Sequence, residues 1–212
     1  MNRDFLGIIL YSIFIITCVV FAKEKTFLFA GNSQLSYFIV KGGQKYFHEK
    51  AEEIYRDTVK EICLAKVSTP IAEMKKGNST FERFLKAVQG KGVAALILFY
   101  GVMESEKYDL AETFTCEIDR FVNDVEQATD QTFPVFICRT ENNSRDFKSG
   151  KRKYCRIVDS ILIQYTTYKE NRILFPEDYI SATMYGDALH YNLEGYKMCS
   201  DFILSKLVEV GK

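Results

Sequence analysis

Val93-Ala94-Ala95-Leu96-Ile97-Leu98-Phe99 runs without a single polar side chain. A strand with one wet face alternates apolar and polar residues, so an unbroken apolar run of this kind reads as a strand covered on both faces, the signature of a parallel sheet clad in helices. Outward from it, Thr26-Phe27-Leu28-Phe29-Ala30, closed by Gly31, is a second such strand. Phe133 to Cys138 is a third, and Ile173-Leu174-Phe175 a short further one.

The intervening segments carry helical spacing. Phe47, Ala51, Ile54, Tyr55, Val59, Ile62 and Cys63 recur at three- and four-residue steps and predict the apolar face of one amphipathic helix, with Lys50, Glu52, Glu53, Arg56 and Asp57 on its wet side. Thr80 is the expected cap of a helix over Phe81 to Gln89, which Gly90-Lys91-Gly92 stops. Leu110 to Ala128 places Phe114, Ile118, Phe121, Val122 and Val125 on one side. Glu141 to Lys153 reads as a polar, basic loop, and helices are predicted over Tyr154 to Tyr165 and Leu193 to Val210. Strands alternating with helices predict the α/β class: a three-layer α/β/α sandwich with a mainly parallel, flavodoxin-like sheet. Ligands in that architecture bind beyond the carboxyl ends of the strands, here the loops after Ala30, Phe99 and Phe175.

The 212 residues are 47% hydrophobic and 26% charged, with Lys+Arg 28 balancing Asp+Glu 28. This composition excludes a disordered tail protein, a collagen-like fibre and a polytopic membrane protein. Zero net charge provides no global field for nucleic acid or anionic lipid, so neither is an expected partner. Leu6 to Ala22 is an uninterrupted, mostly apolar run ending in Val20-Phe21-Ala22 before Lys23-Glu24-Lys25. It predicts a signal peptide over residues 1–22, with a retained membrane anchor as the rival reading. Residues 23–212 then form a single domain, secreted or held in the lumen of the secretory pathway. Of six cysteines, Cys18 lies in the signal. Cys63, Cys116, Cys138, Cys155 and Cys199 contain no C-x-x-C pair, so no structural zinc is expected, whereas an oxidising lumen predicts one or two disulfides. Asn78-Ser79-Thr80 and Asn142-Asn143-Ser144 are glycosylation sequons if the route is eukaryotic.

Two loops carry groups able to do chemistry. Gly31-Asn32-Ser33-Gln34 turns sharply out of the first strand, and a serine at a helix start there sits where free N–H groups favour an oxyanion. The plainer reading is a serine that caps a turn. Leu35 stands where a Gly-x-Ser-x-Gly elbow needs its second glycine. Near the other end, Gly186-Asp187-Ala188-Leu189-His190 holds one of the chain's two histidines. An aspartate three residues before it can reach Nδ1, fix the tautomer and leave Nε2 as a base, although a turn aspartate beside a helix start has the same spacing. His48, on a charged helix face, reads as a solvated bystander.

Gly31-Asn32-Ser33-Gln34 and Asp187-x-x-His190 together resemble the SGNH (GDSL-type) hydrolases. Leu96-Ile-Leu-Phe-Tyr-Gly101-Val-Met-Glu104-Ser105-Glu106 is similar to the Trp-x-Gln-Gly-Glu-Ser stretch of their sialate O-acetylesterase and acetylxylan esterase branch, and Asp187 through Tyr196 resembles its ending. The resemblance spans Thr26 to about Leu204. It implies an α/β/α fold and a serine esterase that removes acetyl groups from sugar hydroxyls, with Ser33 as nucleophile, His190 as base and Asp187 as its orienting carboxylate. Gly31, Asn32, Gln34, Gly77, Asn78, Gly101 and Glu104 become oxyanion or substrate-binding candidates, Glu104 having a structural alternative as an anchor of its loop. No metal or cofactor is implied, and the partner is a small-molecule or polysaccharide acetyl ester.

The chain departs from that pattern in two places. Asn32 and Gln34 flank Ser33 where the family reads Gln before and Asn after, and Val102-Met103 replaces Gln-Gly. Neither Val nor Met can donate to an oxyanion, and losing one such donor costs about 10²–10³ in kcat. Other readings are a GDSL-type lipase or lysophospholipase, a weakly active or non-catalytic carbohydrate-binding member of the fold, and a flavodoxin-like domain with no chemistry at Ser33.

Overall fold

The computed structural model describes residues 24–138, 148, 153–176 and 179–210; the expected signal segment and most of the 141–153 loop lie outside the described residues. Five strands, β1 (Lys25–Gly31), β2 (Val59–Ala65), β3 (Val93–Phe99), β4 (Val135–Ile137) and β5 (Arg172–Leu174), form one sheet. Its order is β2-β1-β3-β4-β5 and every pairing is parallel. Among the described residues six α-helices clad it: α1 (Ser33–Val40), α2 (Gly43–Tyr55), α3 (Ser79–Val88), α4 (Tyr108–Thr129), α5 (Cys155–Tyr168) and α6 (Leu193–Val210). The predicted α/β/α sandwich with a flavodoxin-like sheet is the observed architecture.

The two-residue period of a strand explains the layers. Leu28 and Ala30 of β1, Leu96 and Leu98 of β3, and Val135 and Ile137 of β4 enter one core with α3, α4 and α5. Phe27 and Phe29, Ile97 and Phe99, and Phe136 enter the other, with α1, α2 and α6. Each core holds several wholly buried aromatic rings, each worth about 1.5–3 kcal/mol of transfer free energy.

The single helix predicted across Phe47 to Cys63 is two elements. Helix α2 stops at Arg56, which caps it at φ 53°, and β2 begins at Val59. Val59, Ile62 and Cys63 fall in phase with the helical face by coincidence. As the outermost strand, β2 alternates buried and exposed residues irregularly, so it lacks the apolar run that marked β1 and β3. The cap of α3 is Asn78, not Thr80: its Oδ1 accepts from the N–H groups of Thr80 and Phe81 at 3.0 and 3.2 Å. His48 is not a bystander either, because its Nδ1 lies 2.9 Å from Glu61 Oε1 on β2 and ties α2 to the sheet edge. Cys63, Cys116, Cys138, Cys155 and Cys199 stand as free thiols in this structure, which therefore does not show the expected one or two disulfides. Among the described residues no helix is long and apolar enough to cross a membrane.

The strand order reverses between β1 and β3, so their carboxyl ends diverge into helices on different faces and leave a crevice there. Gly31 pairs with Phe99 on one side and Ala65 on the other. A Cβ on Gly31 would lie 2.7 Å from Phe99 Cβ and 2.8 Å from its carbonyl oxygen. Only glycine lets the chain pass here, and the passage delivers Ser33 to the rim of the crevice.

Candidate active site

Asn32 ends the strand and starts the helix. Its N–H donates to the Phe99 carbonyl at 3.3 Å, and its side-chain oxygen accepts from Gln34 N–H at 3.2 Å as the cap of α1. Ser33 is therefore the first residue of α1, where backbone N–H groups lack helical acceptors and the helix dipole presents its positive end.

The loop before α6 brings the imidazole to it. Asp187 Oδ1 accepts from the N–H groups of Leu189 and His190 at 2.8 and 2.7 Å, a tight turn closed on one carboxylate oxygen. Its other oxygen stands 2.8 Å from His190 Nδ1, and His190 Nε2 stands 2.9 Å from Ser33 Oγ. Partial burial works to raise the Asp187 carboxyl, but the two backbone N–H groups and the imidazole outweigh it and hold the carboxyl below its usual range. Asn192 closes the loop from behind, donating to the Thr183 carbonyl and accepting from Gly195 N–H in the first turn of α6. Gly195 has no room for a side chain, since a Cβ would meet the Met184 carbonyl oxygen at 2.8 Å.

The structure thus gathers the three residues singled out as nucleophile, base and orienting carboxylate. The accessory candidates fare differently. Gln34 is buried and turned inward: its Nε2 donates to the Leu189 carbonyl, while Tyr196 Oη donates to its backbone and side-chain oxygens. Asn32 is buried with its oxygen spent on the cap, and its Nδ2 has no protein partner. Gln34 thus fastens the site from within, and Asn32 caps the helix that carries Ser33. Glu104 is likewise an anchor, the structural alternative raised from the sequence. It is 1% exposed and accepts from Ile71 N–H at 2.9 Å and Gly101 N–H at 2.8 Å. Burial pushes its carboxyl up, opposed by those N–H groups. The Gly101 N–H, expected to serve an oxyanion, is therefore committed to Glu104. Gly77 donates to Glu82 and Asn78 caps α3, so the N–H of one and the side chain of the other are spent within their own loop. Gly31 acts through its missing side chain.

Two features escaped the sequence reading. The loop after β2 touches the nucleophile turn, Lys66 N–H donating to the Gly31 carbonyl at 3.0 Å, and Ser68 there holds a left-handed φ of 53°. The helical phase of Val59, Ile62 and Cys63 conceals it in the sequence. The other is Tyr37, one turn after Ser33 on α1, whose ring lies against the His190 imidazole with centroids 3.8 Å apart and planes 6° apart. The four-residue step from Ser33 was its available signal. Among the described residues no group of three or more His, Cys, Asp or Glu is placed to hold a metal ion.

Solved structures similar to this fold include an SGNH hydrolase from Slackia heliotrinireducens, with a TM-score of 0.58 at 11% identity over 88% of this chain and 100% of that one. A carbohydrate acetylesterase from Sinorhizobium meliloti superposes with a TM-score of 0.64 at 11% identity, covering 88% of this chain and 99% of that one. A catalytic mutant of Axe2, an acetylxylan esterase from Geobacillus stearothermophilus, gives 0.61 at 10% identity over 86% and 93% of the two chains. The psychrotrophic esterase EstA from Pseudoalteromonas sp. gives 0.56 at 13% over 87% and 97%. At these identities the likeness is one of fold. No protein-family model and no curated protein matches the chain.

Proposed function

We propose that this protein is a serine esterase that removes O-acetyl groups from carbohydrate, sialic acid or plant-type polysaccharide, by acyl transfer through Ser33. The observation that carries the reading is the continuous relay from Asp187 Oδ2 to His190 Nδ1 at 2.8 Å and from His190 Nε2 to Ser33 Oγ at 2.9 Å. Ser33 Oγ attacks the acetyl carbonyl carbon as its proton passes to His190 Nε2. The carbon–oxygen bond to the sugar then breaks, and His190 returns that proton to the departing hydroxyl. Water attacks the acetyl-enzyme, giving its proton to His190, and acetate leaves as Ser33 recovers its hydrogen. Asp187 holds the tautomer and balances the charge of the imidazolium throughout. The oxyanion faces the N-terminus of α1, where the Ser33 N–H and the helix dipole stabilise it.

The same proposal includes export: the run ending Val20-Phe21-Ala22 is the segment that would be removed, leaving the domain in the secretory lumen or outside the cell. The test is a fluorophosphonate label mapped by mass spectrometry, followed by acetate release from p-nitrophenyl acetate, acetylated xylan and O-acetylated sialic acid. An adduct on Ser33 that His190→Ala abolishes is the expected result. No adduct, or one elsewhere, defeats the reading, and faster turnover of octanoyl than acetyl esters would replace it with a lipase.

A further inference from the structure

Ser33 and Tyr37 are separated by one turn of α1 and so point from the same face of that helix. Tyr37 lays its ring flat on His190, 3.8 Å between centroids and 6° between planes. Two neutral aromatic rings favour offset or edge-on contacts over a face-to-face sandwich. A cation over the face of a tyrosine is different, because the ring's negative quadrupole attracts it. The relay creates that cation each time Nε2 takes the Ser33 proton. We infer that Tyr37 is a positioning residue, whose ring fixes the plane of the His190 imidazole and stabilises its protonated form.

The geometry leaves the imidazole few freedoms. Asp187 holds Nδ1 within the ring plane, Ser33 receives Nε2, and Tyr37 covers a face, so tilting the ring out of its plane means driving it into the tyrosine. The imidazole side chain is only 14% exposed, which limits how far water can solvate the charge in place of protein. Among the described residues three titratable groups stand out near it. Asp187 lies on its own loop and Tyr37 on α1; Tyr196 on α6 stays neutral, its phenol pushed up chiefly by burial. Asp187 is thus the sole carboxylate among these groups, and the tyrosine face supplies the second stabilisation.

The kinetic consequence rests on the acyl-transfer reading, but the ring contact can be tested without it. The chain has two histidines, so their ring protons can be followed by NMR against pH in the Ser33→Ala protein, where no turnover enters. Replacing the aromatic face in Tyr37→Leu moves the His190 titration midpoint down by about half to one unit. Tyr37→Phe keeps the wild-type midpoint, and His48, bonded to Glu61, stays where it is in every variant. If Tyr37→Leu does not fold, Tyr37→Met reads the same displacement. An unmoved His190 midpoint in a folded Leu or Met variant overturns the inference whether or not the protein proves to be an esterase. In protein with Ser33 intact, Tyr37→Leu lowers kcat for p-nitrophenyl acetate about tenfold with little change in KM, displaces the pH profile to the acid side, and Tyr37→Phe restores both. A fall in kcat with an undisplaced profile means packing alone and also overturns it.

Discussion

Gln34 Nε2 donates to the Leu189 carbonyl at 3.2 Å, joining the residue after the nucleophile position to the residue before the base across 155 positions of chain. Tyr196 closes the link from α6 by donating to both oxygens of the same glutamine. The side chain that flanks Ser33 thereby sets the height of the loop that carries His190. Gln34→Leu leaves the buried Leu189 carbonyl without its donor, while Tyr196 keeps only the backbone oxygen of residue 34, and is expected to cost about 1–3 kcal/mol in urea unfolding. Because the loop also loses its register against α1, acetyl-ester hydrolysis falls about tenfold to a hundredfold at temperatures where the variant remains folded. Wild-type stability in that variant would show that the link does not hold the site.

In the proposed mechanism the relay acts as one unit, so its parts are not additive. Ser33→Ala or His190→Ala alone is expected to lower kcat about 10⁴-fold or more, and the double variant no further than the worse single one. Steady-state acetate release from the two single variants and the double one measures this. Losses that multiply would mean that Ser33 and His190 work in separate steps.

Two carboxyl groups give stability opposite dependences on pH. Glu104 is raised by burial, against the pull of the Ile71 and Gly101 N–H groups, so the folded chain holds its proton more tightly than the unfolded one. Its contribution is complete below the unfolded value of about 4.3 and is lost as pH rises through the folded value. Asp187 is lowered: its contribution is present above the unfolded value of about 3.9 and is lost as pH falls through the folded one. With its side chain 40% exposed, screening by water keeps the Asp187 part small. Urea unfolding of the wild type and Glu104→Gln from about pH 3 to 8 tests the Glu104 part. In Glu104→Gln one of the two N–H donors faces an amide NH2 group, costing about 1–3 kcal/mol at acid pH, and the gap to wild type narrows toward neutrality. A gap that widens with pH would reverse the assignment for Glu104.

Cys138 follows β4 and Cys199 lies in α6, both buried, with sulfur atoms 3.4 Å apart. Chain made in a reducing cytosol is expected to yield every thiol to alkylation after denaturation without reductant. Chain recovered through a secretory route is expected to yield two fewer, because an oxidised dithiol carrier can take the two electrons and join this pair. Tryptic mapping places the cross-link. Full thiol content in exported chain would argue against an oxidising destination.

Much of the scaffold was written locally. Val93 to Phe99 and Thr26 to Gly31 announced covered parallel strands because both of their faces are buried, and burial on both faces leaves an unbroken apolar run. β2 could not announce itself: an edge strand is half wet, and Val59, Ile62 and Cys63 happened to continue the helical step of α2. The three residues of the relay were legible for a similar local reason. Asp187 and His190 sit within one turn of chain, and Ser33 follows the glycine that ends a strand. Glu104 was ambiguous, since a buried anchor and a substrate ligand look alike until its two N–H partners are known.

The order of residues by itself determined the alternation of strands and helices, the layered class and the chemistry available at the two ends of the chain. Tertiary structure alone decided that Ser33 and His190 meet, that Gln34 faces inward, that the Gly101 N–H is spent on Glu104, and that Tyr37 covers the imidazole. The physical reason is distance along the chain. Hydrophobic period and capping are properties of neighbours, whereas a contact across 157 residues exists only once the sheet has set its strand order and β1 and α6 have been fixed against the same rim.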